Sequence, residues 1–173
     1  MVLGGGCDNV AVAMQDAVAI GNGAAASVNA VAIGNMALAQ GSNAISIGTY
    51  AQATNVKSIA IGANTVASGA YSVAQGHAAN AAVENSVAIG NGAVASATNS
   101  ISLGLGAGAS VLPMPMMPLG NNNNIGTYAG NASIQMNSNL IGNQAGLASA
   151  GLENNYIGSN SGAGVNGADN VAI

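Results

Sequence analysis

The stretch that decides the fold is Asn85-Ser86-Val87-Ala88-Ile89-Gly90-Asn91-Gly92-Ala93-Val94-Ala95. Its centre is one of seven copies of a tetrapeptide with Val or Ile first, Ala or Ser second, Ile, Leu or Gln third and Gly last. The copies begin at Val18, Val31, Ile45, Ile59, Val73, Val87 and Ile101. Their glycines are spaced 13, 14, 14, 14, 14 and 14 residues apart, which indicates a repeat architecture with one structural unit per copy.

A second element follows each of these glycines at a fixed distance. The third and fifth residues after the Gly are Ala, with Thr65 as the exception. The residue between them varies, and it is Ala25, Leu38, Gln52, Val66, Asn80, Val94 or Gly108. Constant residues that alternate with a variable one predict a strand with one packed face and one free face. Each repeat therefore predicts two short strands, joined by turns in which Gly, Asn and Ser are favoured.

The length of the repeat limits how these strands can be arranged. A unit of 14 residues is too short for a β-hairpin with its own core, but it suits one coil of a parallel β-roll. Successive coils of such a roll hydrogen-bond to one another at a spacing of about 4.8 Å. We therefore predict an all-β fold, a parallel β-solenoid with short strands that forms a rod.

The composition excludes several other classes of protein. The 173 residues include one Lys, no Arg, five acidic residues and one His, so 3% are charged, where a soluble domain has roughly 25%. A bulky core under a charged shell is therefore excluded. Gly, Asn, Ser or Gln interrupts every apolar stretch well before the roughly 20 residues that a membrane-spanning helix needs, so no membrane insertion is expected. A single Lys does not suit binding to nucleic acid.

The first strand of each repeat carries no charge on either face. Val and Ile point one way, and the Ala or Ser between them points the other way. A strand that is uncharged on both faces is typical of burial on both faces. One coil has a single interior, so the second face predicts contact with another copy of the chain, and a thin roll has too little core to be stable alone. The pattern leaves open which face points inward.

The period changes after Leu105. Residues 111–120 contain all three Pro and three of the seven Met, and Pro cannot donate to a ladder of strands. We interpret residues 1–110 as a β-roll of 14-residue repeats. The segment 111–120 is interpreted as a neck, either a stiff connector or an exposed Met loop that makes contacts.

A second repeat with a period of 16 occupies residues 121–173 and predicts a second β-solenoid. Its copies are marked by Ile125-Gly126, Ile141-Gly142 and Ile157-Gly158. Asn recurs two residues before each Ile, at Asn123, Asn139 and Asn155. This recurrence predicts a stacked ladder of side-chain amides along the axis.

The stretch 85–95 resembles the head repeat of YadA-like trimeric autotransporter adhesins, and the resemblance covers roughly residues 9–110. In that family one such repeat makes one coil of a left-handed parallel β-roll, and three chains form the head. The resemblance therefore implies a left-handed roll and a homotrimer with parallel chains. The second repeat, Asn-x-Ile-Gly-x-x-Ala-Gly, is similar to repeats of phage tail fibres.

These resemblances lead to two expected functions, both structural and adhesive. The segment from Met1 to Asp8 lacks the basic start and apolar run of a secretory signal peptide, so we expect a phage virion fibre or spike with other fibre subunits as partners. The alternative is the head of a bacterial adhesin at the cell surface or outer membrane. In either case the target is a glycan or protein on a host or target cell. An ice-binding solenoid is disfavoured, because the small-residue columns hold Thr only at Thr65.

We expect no enzymatic activity, cofactor or metal. A glycosidase needs two carboxylates about 5–9.5 Å apart, and within one chain only Asp8 and Asp16 could be close to one another. The glycines between Gly104 and Gly108 have neither the helix nor the Lys of a phosphate-binding loop. Single copies of Cys7 and His77 provide neither a disulfide framework nor a zinc site within one chain. The acidic residues considered for a glycosidase pair are Asp8, Asp16, Glu84, Glu153 and Asp169.

The candidate ligand contacts lie in the turns, because the packed columns vary little. One turn position lies two residues before the first residue of a tetrapeptide. From the second to the seventh tetrapeptide it is occupied by Asn29, Asn43, Lys57, Tyr71, Asn85 and Asn99. Lys57 and Tyr71 are neighbours in this column, and cationic and aromatic side chains commonly anchor contacts. We predict a lateral ligand site at Lys57 and Tyr71, extended by Tyr50 and His77. The alternative is that all four are ordinary surface residues.

Gln75 is the one polar residue at the third position of the tetrapeptide. Two interpretations are open. Its side chain is hydrogen-bonded within the roll, or its column faces the axis of a trimer. In the second case three copies of Gln75 form a polar ring able to hold water or an ion.

Overall fold

The chain folds into a parallel β-solenoid of about 11 turns. The computed structural model describes residues 1–3, 5, 6, 9–109 and 120–173, and no helix occurs among them. In this part of the chain there is accordingly no helix long and apolar enough to cross a membrane. The prediction of an all-β solenoid is confirmed.

The strands are two or three residues long, as the short repeat predicts. In the first part of the chain they are β1 (Val2–Leu3), β2 (Gly5–Gly6), β3 (Asn9–Val10), β4 (Val12–Ala13), β5 (Val18–Ile20), β6 (Ala25–Ala26), β7 (Val31–Ile33), β8 (Leu38–Ala39), β9 (Ile45–Ile47), β10 (Gln52–Ala53), β11 (Ile59–Ile61), β12 (Val66–Ala67), β13 (Val73–Gln75), β14 (Asn80–Ala81), β15 (Val87–Ile89), β16 (Val94–Ala95) and β17 (Ile101–Leu103). In the second part they are β18 (Asn123–Ile125), β19 (Ile134–Met136), β20 (Asn139–Ile141), β21 (Ala150–Leu152), β22 (Asn155–Ile157) and β23 (Val171–Ala172).

Two parallel sheets form the long sides of the solenoid. The first sheet stacks the tetrapeptide strands in the order β1-β5-β7-β9-β11-β13-β15-β17-β18-β20-β22-β23. The second sheet stacks the Ala-rich strands in the order β16-β14-β12-β10-β8-β6-β4. Equivalent residues of adjacent coils are paired, so that Val73 lies between Ile59 and Val87. The remaining strands form two two-stranded sheets. In one, β19 is parallel to β21, and in the other, β2 is antiparallel to β3.

Small side chains fill the interior of the 14-residue coils. The middle residues of the tetrapeptides point inward and are fully buried, as at Ala60, Ala74 and Ala88 with 0% exposure. The flanking Val and Ile point outward and are half-buried or exposed. The inward face, which the sequence pattern left open, is therefore the face of Ala and Ser. A coil this narrow accommodates a methyl or hydroxymethyl group and has no room for isoleucine.

Serine hydroxyls at the neighbouring inward position bind the carbonyls of the turns. Ser72 and Ser86 stand directly before two of the tetrapeptides and are fully buried. The Oγ of Ser72 donates to the carbonyl oxygen of Gly69 at 2.7 Å, and the Oγ of Ser86 donates to that of Val83 at 2.6 Å. These bonds give partners to polar groups that burial would otherwise leave unpaired.

The glycine that closes each tetrapeptide is required by the stacking of the coils. At Gly62 the φ angle is +128°, and a Cβ there would lie 2.2 Å from the carbonyl oxygen of Gly76 in the next coil. The contact is with backbone, which cannot move aside as a flexible side chain could. Only a residue without a side chain therefore fits at this position.

The two repeats belong to one continuous sheet. β17 pairs with β18 so that Ile101 lies beside Asn123. The change of period from 14 to 16 residues therefore occurs without a break in the first sheet. Residues 110–119, which include nearly all of the predicted neck at 111–120, lie outside the described residues. The division into domains stays a prediction.

The 16-residue coils hold larger side chains in their interior. Leu140 and Tyr156 stand at the position that Ala or Ser occupies in the shorter coils, and both are fully buried. The Tyr156 hydroxyl has no hydrogen-bond partner of normal geometry among the described residues. Burial raises the pKa of Tyr156, and the side chain of Asn170 offsets part of that effect.

The predicted amide ladder is confirmed on the outer side of these coils. The Nδ2 of Asn123 donates to the Oδ1 of Asn139, and the Nδ2 of Asn139 donates to the Oδ1 of Asn155, both at 2.8 Å. All three residues are half-buried. They occupy the column that Val and Ile hold in the shorter coils, so the outer surface of the first sheet becomes more polar after Leu103.

Candidate contact surfaces

An uncharged apolar face runs along the outside of the first sheet. It consists of the outward first and third residues of the seven tetrapeptide strands and is called the apolar face below. Except for Gln75, its residues are Val, Ile or Leu, and Ile61 is 36% exposed. A continuous apolar surface of this kind marks an interaction site. The residues are Val18, Ile20, Val31, Ile33, Ile45, Ile47, Ile59, Ile61, Val73, Gln75, Val87, Ile89, Ile101 and Leu103.

Gln75 is the one polar position of the apolar face. In the ladder of β13 it lies between Ile61 and Ile89 of the adjacent coils. Its side chain is exposed and makes no hydrogen bond to any residue that the structure describes. The interpretation that Gln75 is hydrogen-bonded inside the roll is therefore wrong, because the third position of the strand points outward.

Lys57 and Tyr71 lie together, as predicted, at the edge of the first sheet where β11 and β13 begin. The Lys57 Nζ is 5.4 Å from the centroid of the Tyr71 ring, a distance at which a cation is attracted to the face of an aromatic ring. Both side chains are exposed. Both residues have a positive φ, +53° at Lys57 and +58° at Tyr71, a conformation that Asn adopts readily and bulky residues rarely adopt.

Tyr50 and His77 are exposed, but they lie on the opposite edge of the first sheet. Tyr50 follows β9 and His77 follows β13, whereas Lys57 and Tyr71 precede their strands. Because the strands are parallel, residues before and after them are on opposite edges. The four predicted residues therefore form no single site, and Lys57 with Tyr71 is the part that the fold brings together.

Sequence reasoning missed a shallow apolar groove on the outer side of the second sheet. Its volume is about 270 Å³, and Val12, Met14, Ala25 and Leu38 line it. Val12, Ala25 and Leu38 pair in consecutive coils. Ala25 and Leu38 begin the variable column, which the sequence predicts only as a free face, and the pairing of Val12 with Ala25 extends that column by one coil.

The acidic residues form no cluster of three or more with His or Cys in the described part of the chain. The expectation that only Asp8 and Asp16 could lie close together is wrong. Glu153 and Asp169 stand at equivalent corner positions of adjacent coils, since the amide of Asp169 donates to the carbonyl of Leu152 at 3.0 Å. Both acidic side chains are exposed. Asp8 and Cys7 lie outside the described residues.

The sequence of residues 25–107 matches the model of a known family. The YadA head domain repeat, taken two copies at a time, matches residues 25–51, 39–65, 53–79, 67–93 and 84–107. Residues 25–107 are therefore similar in sequence to YadA head repeats. The expected resemblance is thereby confirmed over these residues, and the match is to a structural module of the adhesin type. No curated protein matches the chain.

The matched residues include the apolar face from Val31 to Leu103. They begin at Ala25 in β6 and end at Ala107, just before the described residues are interrupted. The coil that precedes them continues the same ladder, because Val12 pairs with Ala25. The Lys57 and Tyr71 contact lies near the middle of the matched segment.

Proposed function

We propose that the chain is a non-enzymatic attachment rod, in which three parallel copies pack together through the apolar face. The observation that carries this proposal is the apolar face, which runs along the first sheet of seven consecutive coils and on which every residue except Gln75 is apolar and none is charged. YadA head domains form trimers, which supports the number of copies.

The energetics of a single solenoid also favour association. The interior of the 14-residue coils is filled almost entirely by Ala and Ser, so each coil buries little apolar area by itself. The larger Val and Ile side chains remain half-buried on the apolar face. Covering them with another copy stabilises the rod by about 25 cal/mol for each Å² of apolar surface removed from water.

A pair of matched valines tests this assignment. Val87 is on the apolar face, and Val94, in the next strand of the same coil, points outward from the second sheet; both are half-buried. Val87→Asp is expected to dissociate the trimer, and Val94→Asp is expected to leave it intact, as measured by sedimentation. Dissociation by both variants, or by neither, would contradict the assignment of the face.

The rod has two candidate biological locations, the phage virion and the bacterial cell surface. The direct stacking of tail-fibre-like 16-residue coils on the YadA head repeats favours a fibre or spike of a phage virion. The YadA match favours the bacterial cell surface. Antibody labelling of intact virions and intact cells in electron micrographs separates the two, because each location predicts label on one kind of particle.

The lateral contact site of the rod is proposed to be Lys57 with Tyr71. Lys57 is the one Lys of a chain that contains no Arg. The apolar face of a sugar ring can stack on the exposed Tyr71 ring while an acidic group of the same sugar binds the Lys57 ammonium. An acidic glycan on the target cell therefore fits this pair better than a neutral glycan does.

A further inference from the structure

We infer that Gln75 fixes the axial register of the assembled chains, because three copies of its side chain meet across the apolar face and hydrogen-bond to one another. The inference rests on the trimer proposed above. It adds a specificity-determining residue, one that prevents the chains from sliding along one another.

A rod built from nearly identical coils has a register problem. Each coil presents the same two outward apolar residues, as in Ile45 and Ile47 or Val87 and Ile89. If one chain slides by one coil, about 4.8 Å, most apolar contacts between chains form again with equivalent residues. Uniform apolar surfaces therefore specify register weakly, as uniform strands do.

Gln75 is the single polar exception in this otherwise apolar face. The third residues of the tetrapeptides form one outward column, which reads Ile20, Ile33, Ile47, Ile61, Gln75, Ile89 and Leu103. The Gln75 amide is exposed in the single chain and makes no hydrogen bond to a described residue. It is therefore free to bind a partner on a neighbouring copy.

The chemistry of an amide distinguishes the aligned from the shifted assembly. A Gln side chain both donates and accepts hydrogen bonds, so three aligned copies can satisfy one another in a ring. In a chain shifted by one coil, Gln75 faces the position of Ile61 or Ile89 in its neighbour. Its amide is then buried without a partner, which is unfavourable. A single buried polar residue sets register in coiled coils by the same principle.

Gln52 provides a matched control within the same chain. It is also an exposed Gln, but it lies on the outer side of the second sheet, in β10. If any exposed Gln influenced assembly through solubility, Gln52→Ile and Gln75→Ile would have the same effect. If register depends on the apolar face, only Gln75→Ile changes it.

Disulfide bridging between two kinds of chain measures the register. In a Cys7→Ser background, one chain carries Val87→Cys and the other carries Ile101→Cys, positions that pair in adjacent coils of one chain. The two chains are mixed, refolded together and oxidised. Aligned chains give bridges between like positions, whereas chains shifted by one coil give a bridge between Cys at 87 and Cys at 101.

With Gln75 in both chains, the mixed bridge is expected to be rare. Gln75→Ile in both chains is expected to raise it roughly tenfold or more, the size of effect that an unpaired buried amide produces, and Gln52→Ile is expected to leave it rare. Moving the Gln by one coil in the Ile101→Cys chain alone, as Gln75→Ile with Ile89→Gln, is expected to make the mixed bridge dominant.

The outcomes separate this inference from the proposed function. A trimer in which Gln75→Ile leaves the mixed bridge rare would overturn the role of Gln75 and leave the rod intact. A trimer with no bridge between Cys residues at 87 would overturn both the apolar face as the interface and the inference. A chain that sediments as a folded monomer would remove the basis of both.

Discussion

The Lys57 Nζ lies 5.4 Å from the centroid of the Tyr71 ring, with the two residues in adjacent coils. In the neighbouring coils the same corner is occupied by Asn43 and Asn85, which also have a positive φ. Asn tolerates this conformation through its short polar side chain, whereas Tyr adopts it rarely. Two consecutive coils therefore carry residues that the turn itself does not favour, as other turns do at Met36, Tyr50 and Tyr128. The contact between Lys57 and Tyr71 is what distinguishes this corner and supports the lateral site proposed above.

Replacing both residues by the Asn of the other coils separates binding from stability. Lys57→Asn with Tyr71→Asn is expected to keep or raise the melting temperature, because Asn suits the positive φ. Binding to an acidic, uronic-acid-containing polysaccharide is expected to fall at least about tenfold, as for a hot-spot residue. Asn43→Ala, one coil away, is the control and is expected to leave binding unchanged. Binding that persists in the double variant would remove the lateral site.

Gly62 and Gly92 test the stacking of the coils. A Cβ at Gly62 would lie 2.2 Å from a backbone oxygen, whereas a Cβ at Gly92 would meet nothing within 4 Å. Gly62→Ala is therefore expected to destabilise the rod by at least about 3 kcal/mol per chain. Gly92→Ala is expected to lose only the roughly 1–2 kcal/mol of a left-handed residue. Equal shifts in thermal unfolding, followed by circular dichroism, would argue against backbone stacking at Gly62.

Ala88 and Val94 test which face is interior. Ala88 has 0% exposure inside the coil, while Val94 is half-buried and points outward. Ala88→Asp buries an unpaired charge and is expected to cost about 3–5 kcal/mol per chain. Val94→Asp is expected to cost about 1 kcal/mol. Chemical denaturation measures both, and losses of similar size would refute the orientation of the tetrapeptide strand.

The buried Tyr156 side chain is expected to make the fold less stable at alkaline pH. Burial raises its pKa above the ordinary value of 10.0, so the unfolded chain loses this proton first as the pH rises. The contribution of Tyr156 to stability is therefore complete below about pH 10 and is lost as the pH rises through the folded pKa. Tyr156→Phe is expected to reduce the loss of stability above pH 10.

The matched control for this pH dependence is Tyr128, which is 38% exposed in a turn two coils before Tyr156. Tyr128→Phe is expected to keep the alkaline loss of stability seen in the unsubstituted chain. At neutral pH, Tyr156→Phe is expected to change stability little, because the hydroxyl that it removes makes no hydrogen bond of normal geometry to a described residue. Melting temperatures measured from pH 7 to 11 give both comparisons, and identical curves for the two variants would contradict the assignment to Tyr156.

The coil could be predicted from the sequence because its most restrictive contacts are local and periodic. Gly62 and Gly76 must stack on one another, so the repeat of Gly in the sequence directly reports the repeat of coils in space. The direction of the strand faces could not be predicted in the same way. Val87 and Ala88 are neighbours in a strand, so their side chains point to opposite faces whichever face is inside. Only the narrow interior of the closed coil decides that Ala88 points inward.

The candidate site was predicted in part, for a similar reason. Lys57 and Tyr71 are one repeat apart, so their contact follows from the period alone. Their separation from Tyr50 depends on which side of the strand each turn lies, which requires the path of the whole coil. The 16-residue period also puts Leu140 and Tyr156 in one column, but their burial could not be predicted, because only the closed coil shows which face of the strand is inside.

The mass of the folded chain in solution tests the central claim most directly. The unmodified chain is expected to sediment at micromolar concentration as a single β-rich species of three times the 16.3 kDa chain mass. Association is expected because the outward Val and Ile of seven coils would otherwise face water. A stable, folded species of one chain mass under the same conditions would contradict the trimeric rod.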